Sequence, residues 1–278
     1  MSIQPNHAGI RGIVFDLDGT LVDSNLDITR ALNEMLREHH KGPIEPSQVA
    51  PLLSEGAFRL VAGVHRIVGL PASDPEVRRN TERYLELYRR EPVRNSTLFA
   101  DAALALQQLW QRGVRLGVCT NKEQQLALQV LDGLGVLAYF TAVVGGDQLP
   151  VRKPDPEHLL ATVRMLGLTP EQTIYIGDSP VDVECAQRAG VRCGVVDWTA
   201  FKIPDEPLPQ PAQDARDGLA SRPGGSPSFR LRCFMDLVPL TTGTPPELAP
   251  MSHAATSTDP APVSGATAHS DPTAKEER

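Results

Sequence analysis

The sequence predicts an α/β protein: a Rossmann-like parallel sheet with helices on both faces, an inserted helical cap and a C-terminal tail whose composition predicts disorder. Three observations carry this. Five short runs rich in β-branched residues alternate with stretches of helical spacing, the pattern of a parallel sheet covered on both sides. Residues 25–95 break that rhythm, with helical spacing and no convincing strand. Finally, 13 of the 25 prolines fall in residues 197–278, among Ser, Thr, Ala and Gly.

The elements follow in chain order. The first apolar run, residues 10–18, ends in two acids, Asp16 and Asp18, with Gly19 supplying a flexible turn. Next come the segments "LDITRALNEMLREHH", "GAFRLVAGVHRIVG" and "DPEVRRNTERYLELYRR", which form the cap. This insertion enters after the acids and returns before the second strand. It therefore stands over the carboxyl ends of the strands, where open α/β sheets place their sites. Strands are predicted at 114–120, 142–146, 173–177 and 191–196, and helices at 101–112, 122–135, 155–166 and 180–189, most closed by a Gly-led turn. The boundaries are a discontinuous core of 10–24 and 96–200, a cap of 25–95, and a tail of 201–278. Within the tail, "FRLRCFMDLVPL" (229–240) is an apolar island that offers a short strand or helix, although such islands more often pack against nothing.

Composition narrows the function. A formal net charge of −7 with a sequence pI near 5.5 opposes a general nucleic-acid or anionic-membrane binder, since both need clustered cations. Four cysteines, Cys119, Cys185, Cys193 and Cys233, show neither paired metal spacing nor a disulfide framework. No run approaches the length of a membrane span, and the N-terminus lacks a basic-then-apolar leader. A cytoplasmic protein with a small-molecule partner, monomeric or homodimeric, is expected.

The chemistry gathers at strand ends. Two carboxylates as close as Asp16 and Asp18 demand a cation or a shared proton, and Mg2+ suits hard oxygen ligands that share it with a substrate phosphate. The stretch "DLDGTLVDS" is similar to the first signature of the haloacid dehalogenase superfamily, whose phosphatases carry an Asp nucleophile and a second Asp two residues later. Further signatures follow in order: Thr120 in "GVCTNK", Lys153 in "VRKPDPEHLL", and Asp178 with Asp182 in "YIGDSPVDVECAQRAG". The resemblance covers residues 10–196 and includes the helical insertion. It implies Asp16, Asp18 and Lys153 as catalytic residues, with Asp16 forming an aspartyl-phosphate and Asp18 acting as acid and then base. It implies Thr120, Asn121, Lys153 and Gly19 around the phosphate, and Asp16, Asp18, Asp178 and Asp182 around Mg2+, with Asp182 orienting the metal's waters.

Taken as a whole, the pattern resembles the phosphoglycolate phosphatase family, which implies hydrolysis of 2-phosphoglycolate to glycolate and phosphate. The cap stretch "LLSEGAFRLV" then brings Ser54, Glu55, Gly56 and Arg59 toward the cleft, with Arg59 a partner for a substrate carboxylate. Other small phosphate esters, including sugar phosphates and nucleotides, or pyrophosphate stand as alternatives, followed by a sugar-phosphate mutase. A dehalogenase would lack the second acid, and a phosphonate hydrolase needs a cap lysine where only Lys41 occurs, in a predicted loop. A binding module with a partner-recruiting tail is the non-enzyme reading. It would be expected to have lost Asp16, Asp18, Lys153 or Asp178, and all four are present.

Overall fold

Strand β1 (Gly12–Phe15) is apolar at Ile13, Val14 and Phe15 because it runs through the middle of the molecule, paired in parallel on both sides. A computed structural model describes residues 9–198 and 229–241. The sheet around β1 has six strands in the order β5-β4-β1-β6-β7-β8, with β4 (Arg115–Cys119), β5 (Phe140–Val144), β6 (Thr173–Gly177), β7 (Arg192–Val196) and β8 (Phe229–Leu231). Every pairing in it is parallel.

Alternation along the strands splits the core into two layers. Ile13, Phe15, Leu116, Val118, Ile174 and Ile176 face one side, under helices α5 (Ala102–Gln111) and α6 (Gln124–Gly133). Val14 and Tyr175 face the other, under α7 (Pro156–Met165) and α8 (Pro180–Ala189). Each of the five strands and four helices expected in the core is present, with ends displaced by a few residues.

The cap holds α1 (Asn25–Glu38), α2 (Pro46–Val49), a 3-10 segment Ala50–Glu55, α3 (Ala57–Val68) and α4 (Asp74–Arg90). It has a hydrophobic centre of its own, including Leu32, Met35, Leu36, Val61, Val64 and Leu87. Its two linkers meet in a small antiparallel ladder, β2 (Val22–Asp23) with β3 (Thr97–Leu98). Asp27 staples them: its buried carboxylate accepts bonds from the backbone N–H groups of Asn95 and Ser96, both at 2.8 Å, and from both side chains. Burial pushes the Asp27 pKa up, but these hydrogen bonds outweigh it and hold it below the usual carboxylate range.

The expectation that the chain leaves the core at residue 200 needs correction at one segment. Residues 229–231 add β8 to the edge of β7, pairing Gly194 with Phe229, Val195 with Arg230 and Val196 with Leu231. A 3-10 segment, Phe234–Leu240, then buries Phe234, Leu237 and Val238 in the same layer as α5. The Phe234 ring lies 4.9 Å from Trp198 and 6.1 Å from Phe15, centroid to centroid. The physical reason is an otherwise open strand edge beside an apolar surface, which an island of four apolar residues covers. The rest of the predicted tail, 201–228 and 242–278, lies outside the described residues.

Candidate active site

Asp16 follows the last residue of β1 and is fixed by its own backbone, whose N–H donates to the Ile176 carbonyl at 2.8 Å. Lys153 reaches it from the loop after β5. The Asn121 side chain holds that loop through both faces of its amide, accepting from the Lys153 N–H and donating to the Lys153 carbonyl, each at 3.0 Å. Lys153 Nζ then sits 2.8 Å from Asp16 Oδ1 and 2.7 Å from Asp182 Oδ1, and donates to the Tyr175 hydroxyl at 2.9 Å. Its approach to Asp16 is an ion pair short of hydrogen-bond alignment, so Asp16 Oδ1 is a buried oxygen with no aligned donor.

Asp182 is the most heavily hydrogen-bonded carboxylate of the group. Its Oδ1 accepts from Lys153 and Tyr175, and its Oδ2 accepts from the N–H groups of Asp178 and Ser179 and from Ser179 Oγ. With both oxygens engaged by protein donors, it holds Lys153 and the start of α8. Gly177 permits this, because a Cβ there would lie 2.4 Å from the Asp182 Cβ. Ser179 is the N-cap of α8, accepting from the Asp182 N–H, with Pro180 in the first turn.

Asp178 stands on the other side of Asp16, accepts from Thr20 Oγ1 at 3.2 Å, and is buried. Gly19 passes so close, at φ +85°, that a Cβ would meet Asp178 Oδ2 at 2.5 Å; only glycine fits that turn. Gly19 therefore makes room for the acid.

Asp16, Asp178 and Asp182 bring carboxylate oxygens within 4.8 Å of one another. Burial, opposed by Lys153 and reinforced by Asp182, lifts the Asp16 pKa to about 6. Burial, then Asp182 and Asp16, raise Asp178 well above its ordinary value. Asp182 is held low despite burial by Lys153 and its hydrogen bonds. Asp16 and Asp178 thus form a buried acidic pair that shares the single Lys153 ammonium with Asp182, and this donor set fits a hard divalent cation.

Thr120 follows the last residue of β4 and is buried. Its N–H donates to the Val144 carbonyl and its Oγ1 accepts from the Lys122 N–H, leaving the hydroxyl hydrogen free for an acceptor outside the protein.

The Asp18 carboxylate turns away from this group, toward the cap. Both its oxygens lie 2.9 Å from Lys122 Nζ, and Oδ1 also accepts from Ser24 Oγ at 2.5 Å. Lys122 completes its donors with the Tyr88 hydroxyl of α4 at 3.0 Å. Next to it, Arg89 of α4 pairs with Glu123, so the end of α4 is seated on the loop that carries Thr120 and Asn121. Of the four acids expected around a metal, Asp16, Asp178 and Asp182 cluster, whereas the oxygens of Asp18 are held by Lys122 and Ser24.

Arg59 does not line the cavity under the cap. Its side chain is 74% exposed and lies 3.7 Å from Glu55, because the inner face of α3 is carried by Ala57 and Leu60. Ser54 and Gly56 do reach the site: the Ser54 carbonyl accepts from Asn121 Nδ2 at 2.9 Å, and Gly56 lines the cavity under the cap. Lys122, Tyr175, Tyr88 and Ser24 received no role from sequence. Lys122, Ser24 and Tyr175 lay inside the quoted motifs, as the last letter of "TNK", the last of "DLDGTLVDS" and the first of "YIGDSPVDVECAQRAG", whereas Tyr88 carried no signal.

A family model described as haloacid dehalogenase-like hydrolase matches residues 13–196. The chain belongs to that family. It is 40% identical over 198 residues to a phosphoglycolate phosphatase of Rhodospirillum rubrum, covering 70% of this chain and 82% of that one. With a phosphoglycolate phosphatase of Cereibacter sphaeroides it shares 38% over 184 residues, 65% of this chain and 82% of the other. Among solved structures it is similar to a predicted phosphoglycolate phosphatase from Haemophilus somnus, with a TM-score of 0.63, 26% identity, and coverage of 68% and 86%. Among the described residues of this hydrolase, no helix is long and apolar enough to cross a membrane.

Proposed function

We propose that this hydrolase is a Mg2+-dependent phosphomonoesterase that converts 2-phosphoglycolate and water to glycolate and phosphate through an aspartyl-phosphate on Asp16. The observation that carries the chemistry is the buried Asp16 carboxylate at a strand end, 2.8 Å from Lys153 and flanked by Asp178. The names of the relatives at 38–40% identity support the substrate.

Asp16 attacks phosphorus while the leaving oxygen takes a proton from Asp18. Asp18 then removes a proton from the water that cleaves the acyl phosphate, so one carboxyl serves both half-reactions. This requires Asp18 to part from Lys122 or share it. Lys153, tied to Asp182 and Tyr175, offsets charge on Asp16 and on the phosphoryl group without having to move. The Thr120 hydroxyl donates to a phosphate oxygen. Asp16 and Asp178 would hold Mg2+, which supplies positive charge against the phosphoryl oxygens and the two acids.

The test is phosphate release over a panel of 2-phosphoglycolate, hexose phosphates, nucleotides and pyrophosphate, with and without Mg2+, beside Asp16→Asn. Turnover that needs Mg2+, is greatest on 2-phosphoglycolate and vanishes in the variant is the expected result. A greater rate on another ester would overturn the substrate and leave the mechanism standing.

A further inference from the structure

We propose that Lys122 determines specificity, by binding a carboxylate on the leaving group; this rests on the phosphomonoesterase reading above. Beneath the cap lies a small cavity of about 30 Å³, open on one side to solvent, bounded by Asp18 and Lys122. A leaving group released next to Asp18 has this space to occupy. Its exposed wall is divided about evenly between apolar carbon, from residues including Ile28, Leu53, Leu60 and Leu126, and polar atoms, and among the described residues Lys122 is the one cationic side chain lining it. An ionised carboxylate entering such a space loses its water and needs a charged partner. The small volume therefore favours a short leaving group, and Lys122 an anionic one.

The bonds of Lys122 show how it accommodates a second carboxylate. Its ammonium has three donors, which meet the two oxygens of Asp18 and the neutral hydroxyl of Tyr88. The Tyr88 hydroxyl is the weakest of these acceptors, and a carboxylate that displaces it exchanges a neutral hydrogen bond for a charge-assisted one. Lys122 then bridges Asp18 and the leaving group, and so places the acid beside the oxygen it must protonate. The sequence assigned this task to Arg59, which points to solvent and pairs with Glu55. Arg152, exposed at the edge and close to Gly56, is the rival cation.

The experiment compares 2-phosphoglycolate with 2-phosphoglycolamide, which has the same shape and no carboxylate charge, in wild type, Lys122→Met, Lys122→Arg and Arg152→Met, all with Mg2+. Wild type is expected to prefer the acid in kcat/KM by roughly 10-fold or more, the size of one charge-assisted contact. Lys122→Met should bring that ratio toward one, mainly through KM for the acid. Lys122→Arg should keep part of the preference, and Arg152→Met should keep it in full. A wild-type ratio near one overturns the proposal without any variant, so misfolding of Lys122→Met cannot shield it. An unchanged ratio in Lys122→Met, or its loss in Arg152→Met alone, overturns it too. Wild type that releases phosphate from neither compound refutes the phosphatase reading instead.

Discussion

Lys153 and Lys122 each sit within 3 Å of an aspartate, but the two pairs have different surroundings. Lys153 lies inside the core, 1% exposed, and its partners Asp16, Asp182 and Tyr175 all come from β1, β6 and the segments just after them. Lys122 lies where the core meets the cap and takes Tyr88 from α4. The first pair is fixed by the sheet, and nothing in it can move without exposing a buried charge. The second depends on where the cap sits. The difference separates two jobs within one site: charge that must be in place before substrate arrives, and charge that responds to what arrives.

The harshest way to break this comparison is to remove the sheet support of the first pair. Deleting residues 229–278 takes away β8 and the burial of Leu231, Phe234, Leu237 and Val238. Each such side chain contributes about 1.5–3 kcal/mol on burial, so the loss rivals a typical total stability of about 5–15 kcal/mol. The truncated chain should melt far lower or not fold, as read by circular dichroism. A Tm within a few degrees of wild type would show that the sheet does not need its sixth strand.

Next in size is the charge itself. Lys153→Met leaves Asp16 and Asp182 buried without their cation, which should cost about 3–5 kcal/mol in urea unfolding and lower kcat by three orders of magnitude or more. The comparison predicts a smaller stability loss for Lys122→Met, whose partner Asp18 retains Ser24 and borders a cavity. Equal losses would erase the distinction between the pairs.

Acidification probes the same side. His158, buried under the Lys153 loop, has its pKa driven to about 4, first by burial and then by the Lys153 charge. Below its unfolded value of about 6.5 the unfolded chain takes up a proton that the folded chain refuses until about pH 4. His158 therefore removes stability as pH falls through that window, by up to about 3 kcal/mol. Asp16, raised to about 6, works in reverse between its ordinary value and 6, because there the folded chain holds the extra proton. The measurement is thus differential: between pH 6.5 and 4, wild type should lose more Tm than His158→Gln. Parallel curves would mean that His158 is not held neutral.

The smallest effect belongs to the seam. Tyr88→Phe frees one donor of Lys122, and a carboxylate that replaces that hydroxyl would then bind without displacing it. KM for 2-phosphoglycolate should fall about two- to five-fold, in keeping with one neutral hydrogen bond, with little change for the amide. A rise in KM for the acid would indicate that the hydroxyl itself binds substrate.

The sequence alone determined the elements and their order. Periodicity, capping residues and turn glycines act over a few positions, so β1 ending at Asp16, α8 starting from Ser179 and Pro180, and the uninterrupted helical insertion could all be read locally. It also determined that acids, Thr120 and Lys153 collect at strand ends, since parallel strands bring those ends to one edge. Only the tertiary structure decided which partner each side chain takes. Asp18 meets Lys122 across 104 residues of chain, Asp182 engages both oxygens with groups from four residues, and Arg59 turns outward on a helix whose inner face was already apolar. It also decided the fate of the island at 229–240, whose apolar residues signalled burial without saying against what; the bare edge of β7 supplied the answer, because unpaired strand groups and exposed apolar surface are both relieved there.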